Sequence, residues 1–139
     1  MKILVCVDRA WPCDHAFIEE VLAKGLPRLG HEVRIVFSAS SGVEPGEKPW
    51  HGATAVIAKQ GRGPGALLNR MRSFLREARK RDWDWLFVRN DSLIALAAAM
   101  RGKPVAFQLS HQMEETRLEM VRRAKGLRPW LHRLVSLSS

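Results

Sequence analysis

The chain has 139 residues, 46% of them hydrophobic and 27% charged, enough to bury one core and too apolar for wholesale disorder. Its 23 Lys and Arg outweigh 14 Asp and Glu, and the resulting +9 attracts anions: phosphorylated ligands, nucleic acid or an acidic lipid surface. Cys6 and Cys13 match neither a disulfide framework nor a common metal spacing, and no apolar run approaches the ~20 residues of a membrane span, so a disulfide-stapled scaffold and a transmembrane helix are excluded and a reducing compartment is expected.

The first element is ILVCV, residues 3–7, a continuous apolar and β-branched run ending at Asp8 that predicts a strand covered on both faces; MKILVCVD is too short an apolar run for a signal peptide. Residues 16–29 place Phe17, Val21, Leu22, Leu26 and Leu29 at helical spacing, with Pro27 predicting a kink or early end and Gly30 a left-handed stop. A second strand is expected over 32–37, a Ser-, Gly- and Pro-rich loop over 38–53, and a weaker third strand over 53–58. GRGPG, residues 61–65, matches neither common phosphate-loop spacing and reads as a flexible connection. It opens a basic helix reaching about Arg81, with Leu67, Met71, Phe74, Leu75 and Ala78 on one face. WLFV (85–88) is a fourth strand, 92–101 a nearly all-apolar buried helix, and PVAFQL (104–109) a fifth strand. Further helices are expected over 114–125 and 128–135.

Strands alternating with helices predict an α/β, Rossmann-like doubly wound domain over 1–139, with a mainly parallel sheet of about five strands in the order 3-2-1-4-5 and helices on both faces. Such sheets bind ligands beyond the carboxyl ends of their strands. There Asp8, Arg89, Asn90, Asp91 and His111 are expected to converge, with Ser110 beside them. Simpler roles remain open. Asp91 or Ser92 can merely cap the helix from 92, Arg89 can pair with Asp91 alone, and His111 can be a structural histidine. Ser110 is a poor nucleophile candidate, because adjacent side chains on extended backbone point opposite ways. Glu114 and Glu115 suit a helix N-terminus better than general-acid chemistry. The basic helix carries Arg70, Arg72, Arg76, Arg79, Lys80 and Arg81, either as a solvated face or as a surface resting on anionic lipid. Trp83 and Trp85 follow it and can equally belong to the core.

MKILVCVD at the start, LGHEVRIV over 29–36 and DWLFVRNDSLIALAAAMRGKPVAFQLSH over 84–111 together resemble the N-terminal domain of a GT-B glycosyltransferase of family 4. The resemblance implies sugar transfer from a nucleotide-sugar donor, usually with retention at the anomeric carbon, to a carbohydrate or lipid-linked acceptor bound by this domain. It places His111 as the catalytic-site histidine, while the strand-end residues Asp8, Arg89, Asn90, Asp91 and Ser110 are the expected substrate-binding set. Many family members sit on membranes through basic surfaces of this domain, which agrees with the +9 charge and with Arg72, Arg76, Arg79, Lys80 and Arg81 as the membrane surface of a cytoplasmic protein peripheral on the inner face; no metal is expected. The family's Gly-Gly pair in the first strand-to-helix loop is replaced by DRAWPCDHAF, leaving Asp14 and His15 as the donor-phosphate side. A donor-binding C-terminal domain is expected as the missing partner, so this chain alone is expected to be inactive. The alternative is a basic nucleic-acid- or anion-binding module without catalysis, although no nucleic-acid motif occurs in the chain.

Overall fold

The computed structural model describes residues 1–80 and 82–109. Its centre is a six-stranded sheet: β1 Lys2–Trp11, β2 Glu32–Ala39, β3 Gly46–Trp50, β4 Ala53–Ile57, β5 Trp85–Arg89 and β6 Val105–Gln108, in the order β3-β4-β2-β1-β5-β6. All pairings are parallel except β3 with β4. Apart from the added edge strand β3, this is the expected 3-2-1-4-5 order of a Rossmann-like sheet.

The apolar runs are continuous because each strand feeds two cores at once. Leu4, Cys6, Val36, Val56, Leu86 and Val88 face one side, packed with Phe74 and Ala78 of α2 (Pro64–Lys80) and Ile94, Ala95 and Ala98 of α3 (Ser92–Ala99). Ile3, Val5, Val7, Val33, Ile35, Phe37 and Ala55 face the other, under Ile18, Leu22 and Ala23 of a π-helix, Ile18–Gly25. The π-helix runs directly into one α-turn, α1 Leu26–Arg28, with Pro27 at its start. Pro27 therefore marks where the winding changes, and the helix stops soon after it. Gly30, at φ 88°, donates to Pro27 O (3.0 Å) while His31 N–H donates to Leu26 O (3.2 Å), the paired closing bonds of a left-handed glycine cap.

Four local expectations change. β1 does not end at Asp8: its pairing with β2 breaks after Cys6 and resumes at Ala10 opposite Ser38, so Val7, Asp8 and Arg9 form a bulge inside a longer strand. The stretch expected as loop over 38–53 contains β3, which joins β4 through the two residues His51 and Gly52. GEKPW has no apolar alternation, and Pro49 suits only an edge strand; the free edge of β4 supplies the partner that local sequence cannot show. GRGPG is more constrained than a flexible connection, since a Cβ on Gly61 would sit 2.8 Å from Ala66 N and from Gly65 C. The helix expected to be buried over 92–101 is buried along Ile94, Ala95 and Ala98 but exposes Leu93, Leu96 and Met100. No helix among the described residues is long and apolar enough to cross a membrane. Trp83 is core, with its indole N–H on Glu77 O at 2.8 Å, whereas Trp85 is exposed.

Candidate functional site

The site is built at the carboxyl edge, where β1 and β5 run out of register partners. Their last pair is Cys6 with Val88; two residues further on each strand stand Asp8 and Asn90. Asn90 Nδ2 donates to Asp8 Oδ2 at 3.0 Å. Asn90 adopts φ 63°, a left-handed conformation that asparagine tolerates better than most residues, and this turns the chain sharply from β5 into α3. Its own N–H continues the sheet onto Gln108 O at 2.8 Å. Asn90 is 1% exposed, so it is part of the wall.

Arg89 joins four elements. Its Nη1 lies 3.1 Å from Asp8 Oδ1, its Nε donates to Gln108 Oε1 at 3.2 Å, and its Nη2 sits 3.3 Å from His15 Nε2. A guanidinium has only donors, so His15 Nε2 accepts and the ring proton belongs on Nδ1. His15 Nδ1 is buried and has no hydrogen-bond partner among the described residues. Burial, then the positive charges of Arg89 and Arg9, lower the imidazole's pKa against the opposing pull of Asp8 and Asp14, which keeps it neutral at pH 7.

A second ion pair flanks the first. Arg70, on the sheet-facing side of α2, donates from Nε (3.0 Å) and Nη2 (2.6 Å) to Asp91 Oδ2 and from Nη1 to Ser38 Oγ (2.7 Å). Both partners are about nine-tenths buried. Arg70 thus leaves the solvated basic face to which its neighbours belong. Asp91 is the N-cap residue of α3 but makes no side-chain capping bond, and Arg89 pairs with Asp8 instead of Asp91; both simpler roles expected for these residues are overturned. The carboxylate turns away from the helix end because a buried guanidinium offers a stronger, charge-assisted partner. Cys6 lies close enough to Arg70 and Asp91 to feel both, yet burial dominates and pushes its thiol pKa far up, so it is inert.

Asp8, Arg89, Asn90 and His15 therefore converge, and Asp91, next in the chain to Asn90, pairs with Arg70. Asp14 is exposed and outside this network. Ser110, His111 and Arg81, with the helices expected over 114–125 and 128–135, lie outside the described residues. Arg70 is the residue that sequence reasoning missed. The available signal was position: it lies four residues before Phe74 and eight before Ala78, a charge set within the apolar stripe. Among the described residues no group of three or more His, Cys, Asp or Glu side chains could hold a metal.

A mainly parallel sheet covered on both faces, with a polar hydrogen-bonded network at the carboxyl ends of its first and fifth strands, defines a Rossmann-like fold. The profile of Glycosyltransferase Family 4 matches residues 20–137, nearly the whole chain, and the chain belongs to that family. Comparison with curated proteins returns no match.

Proposed function

We propose that this glycosyltransferase module forms the acceptor-side wall of an active site completed by a nucleotide-sugar-binding domain. The observation carrying this reading is the Asp8–Arg89–Asn90 network, which ties the ends of β1 and β5 at 3.0–3.1 Å and fixes a rigid polar floor. In the sequence His111 comes three residues after Gln108, the last residue of β6, and Gln108 bonds Arg89. In this reading its imidazole bonds an acceptor or transferred-sugar hydroxyl and steadies charge developing during transfer, with retention at the anomeric carbon. Arg89 and Asn90 position; they do not react, because their polar atoms are committed to Asp8, Gln108 and His15. His15, held neutral and bound to Arg89 through Nε2, stands with Asp14 just before the first helix, on the donor-phosphate side. The exposed cations of α2, Arg72, Arg76, Arg79 and Lys80, with Arg81 beyond them, rest the module on an anionic, cytoplasm-facing membrane.

The test is His111→Ala in the complete enzyme, assayed for sugar transfer and for thermal unfolding together. Turnover should fall by roughly a hundredfold or more while the melting temperature stays within a few degrees. Parallel losses of activity and stability would overturn the reading.

A further inference from the structure

α2 divides its cations between two destinations. Arg70 turns inward to Asp91, but Asn69, Arg72, Ser73, Arg76 and Lys80 recur at three- and four-residue steps and face the opposite flank. That flank and the β3–β4 hairpin enclose a groove of about 540 Å³, floored by Val56 and Ile57 and closed at one end by Lys59. It shares no lining residue with the carboxyl-edge network.

The charge in this groove is unbalanced. Arg72, Arg76 and Lys59 have no ion-pair partner among the described residues. The two carboxylates that line it, Glu47 and Glu77, are both taken by the buried Arg34: Glu47 is paired directly, and Glu77 Oε2 lies 3.1 Å from Arg34 Nε. Lys80 leans on Glu77 at 3.1 Å. Two guanidiniums one helical turn apart repel each other, and here no acid relieves them. Guanidinium pairs spaced in this way match the several oxygens of a phosphate, and the Ser73 hydroxyl between them adds a further donor.

We propose that the groove between α2 and the β3–β4 hairpin is a second binding site, for the phosphate group of a phosphorylated ligand. The apolar floor accepts the ligand's uncharged body, and the arginines hold its phosphate. The hairpin is what turns a basic helix face into a bounded site, which sharpens the membrane-attachment reading given above without depending on the acceptor-side one.

The experiment measures binding of the 139-residue chain to three probes: inorganic pyrophosphate, soluble glycerophosphoglycerol, and vesicles of phosphatidylcholine with phosphatidylglycerol against phosphatidylcholine alone. The variant Arg72→Gln/Arg76→Gln should weaken binding by roughly tenfold or more, because charge-assisted hydrogen bonds are lost. Arg101→Gln, an exposed cation outside both α2 and the groove, should change it by less than about twofold, as a single exposed charge does. Binding of the soluble probes, with pyrophosphate displacing the chain from anionic vesicles, assigns a free phosphate ligand. Binding to anionic vesicles alone, with the same sensitivity to the double variant, assigns a lipid headgroup. Equal weakening by Arg101→Gln overturns the groove and leaves only a diffuse basic surface. No binding to any probe overturns both the groove and the membrane-attachment reading, with the acceptor-side reading still to be judged on His111→Ala.

Discussion

Arg70 and Arg72 are two residues apart on one helix, and they end in opposite chemical situations. Arg70 is buried, with two donors on Asp91 Oδ2 and one on Ser38; Arg72 stands in an open groove with no ion-pair partner among the described residues. A 3.6-residue helical period separates neighbours two apart by more than half a turn, so one faces the sheet and the other faces the hairpin. The carboxyl-edge network is therefore a finished structure whose charges cancel in pairs. The groove, by contrast, keeps charge in excess. Paired buried charges fix geometry, whereas unpaired exposed ones attract ligands, and net charge alone does not tell the two apart.

The largest effect expected from breaking this contrast comes at Arg70. Arg70→Met leaves the Asp91 carboxylate buried without its guanidinium and should destabilise the fold by about 3–5 kcal/mol in urea unfolding. Arg70→Lys should recover only part of that, because an ammonium cannot reproduce the fork onto Asp91 and Ser38. A change under about 1 kcal/mol would mean that the pair is as dispensable as a surface one.

A subtler probe is pH. The folded state holds the His15 imidazole below its ordinary pKa of 6.5, so the unfolded chain binds the proton more readily. Stability contributed by His15 is present above pH 6.5 and declines as pH falls from there toward the depressed folded value. His15→Gln should flatten that part of the stability profile and leave the profile above neutrality unchanged. If the wild-type and variant profiles stayed parallel from pH 7.5 to 5, burial and the neighbouring arginines would not be depressing the imidazole's pKa.

The smallest effect belongs to the groove. Arg72→Gln should alter stability by no more than about 0.5 kcal/mol, in the stabilising direction, since it relieves the like-charge pair with Arg76. A loss above 1 kcal/mol would show that Arg72 packs or pairs in a way that makes the groove structural.

Most of the frame was legible in the chain. ILVCV and WLFV are apolar throughout, and EVRIVF and ATAVI are apolar apart from Glu32, Arg34 and Thr54, because both faces of these strands are covered, and that pattern implies a parallel sheet between helices. The order of those strands followed from right-handed crossovers, and the meeting of Asp8 with Arg89 and Asn90 followed from the order. Each of these properties is written in local periodicity or in a rule of chain connection. Three features were not. β3 exists because the edge of β4 offers backbone partners to a stretch with no strand pattern of its own. Asp8 lies in a bulge, not at a strand end, because β1 finds β2 again at Ala10. Arg70 chooses Asp91 over solvent because α2 sets them side by side across a gap of 21 residues in sequence. The sequence by itself determined which residues reach the carboxyl edge; tertiary structure alone decided which charges cancel there and which stay open, because ion pairing depends on contacts that no local pattern encodes.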